Sequence, residues 1–290
     1  MSTLFSSLQD FLEYDFLIFA LAGSFFLSLT CGLISPLLIA RKNAFIGSAI
    51  SHSTLLGLSI ALSIFSVGQN FYVFLFTLFT TLLCTLFLAR STYKEHLPTD
   101  SMIGIFYTST MALGILIHSL FAKNKSDLLN FLFGNILLLN SQDMIISCCL
   151  LLLTALIIFV PFYKWLYLTF DEEGAVTSGI NAKFFHYVFF ILLTLVIVTS
   201  IKLAGTILIE TFLLVPGFFS LKFAKNIKQT FFYSILFSCF FAFLGLVIAN
   251  AYGLPSGATL AVVQFCALII AIMIKKIFDL SLRSKHENSH

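Results

Sequence analysis

Apolar windows of about 20 residues, the length that crosses ~30 Å of hydrocarbon, recur along the whole chain with short polar breaks between them. Nine long spans follow from this pattern, at 16–39, 44–65, 71–90, 101–121, 142–163, 184–201, 204–221, 229–250 and 257–276. A tenth apolar piece, 128–139, has only about 12 residues and suits a re-entrant or partly inserted helix better than a crossing. The pattern predicts an all-α fold, a polytopic transmembrane helical bundle of about 8–10 membrane segments that include this one short or re-entrant helix. The chain divides into an extracytoplasmic segment at 1–15, a transmembrane domain at 16–277 and a cytoplasmic polar tail at 278–290, read as disordered.

Composition removes the soluble alternatives. Hydrophobic residues make up 59% of the chain and charged residues 10%, against about a quarter charged in soluble proteins. No soluble core absorbs 36 phenylalanines, and a mean hydropathy of +1.04 leaves no separate soluble domain. Lys and Arg beside the spans set the orientation. Arg41 and Lys42, Arg90 and Lys94, Lys164, the cluster Lys222, Lys225 and Lys228, and the tail 275–285 fall on one side if the N-terminus is outside, which makes the C-terminus cytoplasmic. Lys123, Lys125 and Lys202 fall on the other side, and the parity requires that 128–139 does not cross. Asp10, Glu13 and Asp15, with no basic residue, precede the first span; this is the wrong flank for a cleaved signal peptide, so the span is expected to be retained. Cys31, Cys84, Cys148, Cys149, Cys239 and Cys266 lie in apolar runs at no metal-finger or disulfide spacing and read as small packing residues.

In so apolar a chain an ionisable side chain at membrane depth is costly unless it has a task. His52 lies inside the second span. Ser48, four residues earlier, shares its helix face, and Ser51 and Thr54 flank it. Glu210 stands among apolar neighbours in 205–217, where a carboxylate needs a polar cavity, a bound cation or a hydrogen-bonding partner. For both residues a hydrogen-bonded packing role is the plain alternative. His118, near the outer end of the fourth span, reads as a surface histidine, with a ligand for an incoming ion as the other reading. His186 and His96 fall on the cytoplasmic side, away from a central site, and His286 and His290 in the tail. The largest interior polar segment, 169–183, lies between the fifth and sixth spans and either docks a soluble partner or is a solvated connector. Its Asp171, Glu172 and Glu173 suit a helix start, because negative charge is favoured at the positive end of the macrodipole.

Several chemistries are excluded. No Gly-x-x-x-x-Gly-Lys-Ser/Thr loop is present to cradle phosphates, so nucleotide chemistry is absent from the chain. Neither a Gly-x-Ser-x-Gly elbow nor a His-Glu-x-x-His pair argues for an intramembrane hydrolase. A net charge of +3 spread over membrane flanks gives no basic patch, so nucleic acid is not a partner.

Five ordered stretches between 36 and 268 resemble the membrane permeases of ABC importers for zinc, manganese and iron. They are Phe45-Ile46-Gly47 with 51–57 after the Arg41-Lys42 turn; 100–105; 130–137; the loop and helix 170–205; and Leu213-Leu214-Val215-Pro216 with Leu254-Pro255-Ser256-Gly257-Ala258. Each stretch alone is weak, and the specificity lies in their order over most of the chain. The resemblance implies a permease in a bacterial inner membrane that moves manganese, zinc or iron into the cytoplasm by alternating access. The metal is then substrate, with no tightly bound cofactor. The chain would not be an enzyme, because ATP hydrolysis would reside in a separate cytoplasmic ATPase. An extracytoplasmic metal-binding protein and a second permease subunit, identical or not, would complete the assembly. The 169–183 loop would carry the coupling helix, with Asp171, Glu172, Glu173, Gly174, Ala175 and Gly179 at the ATPase.

One departure bears on the metal. The family's acid four residues before the histidine is Ser48 here, and a neutral hydroxyl is a poor ligand for a divalent ion. Glu210, where the family usually has a small or apolar residue, would restore the charge, so that His52, Glu210 and Ser48 form the transit path. Counting 1.5 Å per residue places His52 about 12 Å from the inner end of its span and Glu210 about 9 Å from the outer end of its own. Roughly 9 Å of height then separates them, so they meet only with tilt or act as successive stations. A proton-coupled secondary transporter using Glu210 and a membrane scaffold or enzyme stay open, and imidazole plus carboxylate does not choose among the metals.

Overall fold

The computed structural model describes residues 14–65, 70–94, 99–121, 134, 136, 139 and 141–287. The elements are α1 (Asp15–Ala40), α2 (Ala44–Ile64), α3 (Asn70–Lys94), α4 (Thr99–Phe121), α5 (Ser141–Phe159), α6 (Phe162–Phe170), α7 (Glu172–Thr177), α8 (Ala182–Ala204), α9 (Thr206–Phe223), α10 (Ile227–Tyr252) and α11 (Ser256–Glu287). Among the described residues nine helices, all but α6 and α7, are long and apolar enough to cross a membrane. They coincide with the nine long spans expected. Most ends move by one to four residues, and two differences have a distinct meaning. The fifth span stops at Phe159 because Pro161 has no N–H to continue the ladder; α6 follows, and Trp165 Nε1 donates to the Ile157 carbonyl, the acceptor that Pro161 leaves open, at 2.9 Å. At the other boundary the tail, read as disordered, instead continues α11 as helix through Glu287.

Small and hydroxylated residues, not apolar bulk, bring the helices together, as expected where lipid competes for every apolar face. Pro36 leaves the Gly32 carbonyl of α1 without its helical donor, and Ser234 of α10 supplies one at 2.8 Å. In α9 the break at Pro216-Gly217 is filled by Ser35 of α1. Its hydroxyl accepts from the Gly217 N–H and donates to the Leu213 carbonyl, both at 2.7 Å, standing between two groups that would otherwise bond each other. A Cβ on Gly217 would lie 2.5 Å from the Ser35 carbonyl oxygen. These contacts tie α1, α9 and α10 into one group. A second group forms around α2: Gly114 of α4 approaches the Leu56 backbone, and Gly57 faces Thr77, Thr80 and Thr81 of α3. α2 packs chiefly on α4 and α3, and only lightly on α9.

The connections sort to two ends. At one end the α1–α2 turn, the last turn of α3, α6–α7 and the start of α8 surround a single cavity. At the other end Gly134 sits against Ala204 and Gly205, and the Ile136 N–H donates to Ser256 Oγ at 3.1 Å. Leu139 reaches Gly23, the ninth residue of α1 and so about 12 Å along it. These three residues of 128–139 therefore lie within the bundle, as a partly inserted segment requires; the rest of that stretch lies outside the described residues, as do 1–13.

Candidate functional site

Two helices from different groups build the site. α2 presents Ser48, Ser51 and His52 on successive turns of one face, and α9 presents Glu210. His52 Nε2 lies 3.7 Å from Glu210 Oε1, within ion-pair range though longer than a direct hydrogen bond. The Ser48 and Ser51 side chains neighbour the same carboxylate, and the Ser51 hydroxyl donates to the Gly47 carbonyl at 3.0 Å. The imidazole is held edge-on to Tyr107 of α4, ring centres 4.5 Å apart, and its Nδ1 is buried with no hydrogen-bond partner among the described residues. The His52 side chain is 12% exposed and that of Glu210 27%. Glu210 opens sideways into a groove of about 690 Å³ between α9 and α11, walled by Ile207, Leu214, Phe218, Val262 and Phe265. The arrangement offers one nitrogen, one carboxylate and two hydroxyls at the edge of an apolar groove. Among the described residues no cluster of three or more His, Cys, Asp or Glu is present.

The structure therefore brings His52, Glu210 and Ser48 to one point and removes the expected separation of roughly 9 Å in height. The count failed because it placed the start of Glu210's helix at the membrane surface. Ala204, Gly205 and Thr206 are instead buried, covered by Gly134, whose φ of +57° and close approach to the Ala204 carbonyl carbon leave no room for a side chain. α9 thus begins inside the bundle, and Glu210, one turn on, reaches the level of His52. Ser51 was seen only as a neighbour, and Tyr107 was missed because it lies on another helix at no telling spacing.

The other histidines divide. His118, expected at the surface, is instead 7% exposed with Nε2 unpartnered among the described residues, because α4 turns that face onto α2. His186 stays away from the site, its Nε2 3.0 Å from the Ala89 carbonyl oxygen. His96, His290 and the His286 side chain lie outside the described residues. The cysteines are free; Cys31 is fully buried, whereas Cys149 and Cys266, expected as small packing residues, are exposed because the pattern does not say which helix face meets another helix.

The polar segment 169–183 folds as the short helix α7, and Asp171 caps it by accepting from the Gly174 N–H at 2.9 Å. A Cβ on Gly174 would collide with that carboxylate. Gly179 closes the helix at φ +83°, with the Ile180 N–H on the Ala175 carbonyl at 3.0 Å. Glu172, Glu173 and Gly179 are exposed, and Ala175 is buried beneath them. Val176, not singled out in the sequence, is 51% exposed on the same short helix.

The profile of the ABC 3 transport family matches residues 13–275. The chain is 30% identical over 266 residues to the manganese transport system membrane protein MntC of Listeria innocua, covering 92% of this chain and 93% of that one. It is 32% identical over 269 residues to the manganese import system permease protein ScaB of Streptococcus gordonii, covering 92% and 94%. Among solved structures, PsaBC from Streptococcus pneumoniae in complex with Fab aligns with a TM-score of 0.79 at 28% identity, over 91% of this chain and 94% of that one. With a match over nearly its whole length and a helical bundle of the same shape, the chain belongs to the ABC 3 transport family.

Proposed function

We propose that this chain is the permease subunit of an importer that carries a divalent transition metal ion, manganese, zinc or iron, into the cytoplasm, powered by a separate ATPase. The observation that carries the reading is the approach of His52 and Glu210 from two helix groups to 3.7 Å. One ion bound at ~2.0–2.1 Å to both would hold nitrogen and oxygen roughly 3.4 Å apart at a tetrahedral angle, close to the spacing present. Two strong ligands and two hydroxyls suit an ion that must leave, since conduction requires binding weak enough to release.

The remaining parts follow in the same reading. The groove beside Glu210 would be covered by a second permease, because a carboxylate left facing lipid is expelled or protonated. The end carrying Arg41, α6 and α7 would face the cytoplasm by the excess of Lys and Arg there. α7 would seat on the ATPase through Glu172, Glu173 and Val176, and the Ser256 end would receive the ion from an extracytoplasmic metal-binding protein. A bacterial inner membrane is the corresponding location.

Reconstitution of the chain with its ATPase, followed by metal uptake into vesicles with and without ATP, tests the proposal. Uptake and metal-stimulated ATP hydrolysis with one of the three ions are expected. Uptake that persists without ATP and collapses with the proton gradient would instead establish secondary transport through Glu210.

A further inference from the structure

Away from the ion site, Arg41 carries a charge that no contacting carboxylate neutralises among the described residues. It caps the C-terminus of α1, and Lys42, which follows, adopts φ +58°, a left-handed turn without glycine. The guanidinium is held on three sides: Nε donates to Thr169 Oγ1 at 3.1 Å, and its carbon lies 5.0 Å from the Trp165 ring centre and 5.2 Å from that of Phe189. It lines a cavity of about 560 Å³ together with Asn43, Thr92, Tyr93, Glu172 and His186. Glu172, on the short helix α7, lies across that cavity beyond 4 Å yet near enough to attract it. Burial lowers the Arg41 pKa to about 10, and Glu172 acts in the opposite sense. The group stays protonated at neutral pH.

The position of this residue in the chain gives the arrangement its use. α1 is locked to α9, which carries Glu210, through Ser35. α2 starts at Ala44 and carries Ser48, Ser51 and His52, packed with α3 and α4. The Arg41–Asn43 turn is the covalent joint between the two groups, and the ion site straddles their seam. A force on Arg41 therefore acts where the groups hinge. Thr169, Trp165 and Glu172 all belong to the segment read above as the ATPase seat or to the helix leading into it.

We propose that Arg41 is a positioning residue that transmits movement of the α6–α7 segment to the His52–Glu210 spacing, with the Glu172 carboxylate closing on the guanidinium across the cavity when the segment is pressed inward. The proposal rests on the reading of α7 as the ATPase seat. Opposite charges that line one polar cavity attract in either state, so movement of α7 toward α1 would bring them together.

The test uses the assembled importer and measures metal ions moved per ATP hydrolysed. Arg41→Gln removes the charge and is expected to lower this ratio about tenfold, and Arg41→Lys, which keeps the charge, to retain at least half of it. Glu172→Gln should lower it by a similar factor while the ATPase still co-purifies in wild-type amount, which keeps the test available if Arg41→Gln fails to fold; a ratio within twofold of wild type with the ATPase bound overturns the proposal. A ratio within twofold of wild type for Arg41→Gln, or Arg41→Lys as impaired as Arg41→Gln, overturns the proposal; the second result would assign Arg41 to packing alone. Val176→Asp, assayed in parallel for co-purification of the ATPase, tests the seat by itself. ATPase retained by that variant sinks the seat reading, whereas ATPase lost there with wild-type coupling in Arg41→Gln sinks only the lever.

Discussion

Exchanging Glu210 for glutamine keeps the shape of the side chain and removes its charge, so the variant isolates what the carboxylate supplies. At an effective dielectric of ~20, two unit charges 4 Å apart interact by about 4 kcal/mol, and a divalent ion doubles that to about 8 kcal/mol gross. Stripping ion and carboxylate of water offsets most of it. A net loss of about 1.4–2.8 kcal/mol corresponds to roughly 10–100-fold in apparent affinity. Initial rates of metal uptake against metal concentration, in vesicles holding the assembled importer, should show this as a raised KM for Glu210→Gln. The structure supplies a sharper control. Because the Ser48 side chain neighbours the Glu210 carboxylate, Ser48→Asp in the Glu210→Gln background returns a negative charge to the same site. Uptake should recover to within about fivefold of wild type, by the same charge argument. Wild-type uptake by Glu210→Gln, or a double variant as inactive as the single one, would refute the idea that Glu210 stands in for the acid missing at Ser48.

Further outcomes follow from the packing. Gly134→Ala places a methyl group 2.2 Å from the Ala204 carbonyl carbon at a φ of +57°, so left-handed strain of about 1–2 kcal/mol adds to overpacking of about 1–3 kcal/mol. The midpoint of thermal unfolding in detergent should fall clearly, and an unchanged midpoint would contradict the buried α8–α9 junction. Gly217→Ala meets the Ser35 backbone and disturbs two hydrogen bonds worth about 1 kcal/mol each; both lower stability and slower uptake are expected, since α9 carries Glu210. Val176→Asp, at a half-exposed position, should leave permease stability within about 0.5 kcal/mol while reducing co-purified ATPase at least tenfold. Destabilisation without loss of ATPase would point to a packing role for Val176.

Much of the fold was legible because membrane crossing is a one-dimensional property of the chain. Length and apolarity alone decide whether a window can span, so the nine spans emerged without knowledge of any contact. The short helix α7 was legible for a similar local reason, its acids preceding a turn that Asp171 caps. The break at Pro161 and the continuation of α11 to Glu287 were read less well, since an apolar window does not register a missing N–H and a polar tail does not reveal the helix it extends. His118 was misplaced because hydropathy says which residues lie in the membrane and not which face of a helix meets another helix.

The sequence by itself determined that the chain is a helical membrane protein and that His52 and Glu210 are ionisable groups at membrane depth in need of a task, with Ser48 on the same helix face as His52. Only the tertiary structure decided that His52 and Glu210 approach to 3.7 Å. Their meeting depends on where α9 begins, on Gly134 seated against the α8–α9 junction, and on Ser35 locking α1 to α9. Each of these is a contact between residues tens to nearly two hundred positions apart, made by close backbone approach and hydroxyl groups that carry no periodic signal. Distance along one helix is set by its rise per residue, whereas the relative height of two helices is set by what packs between them.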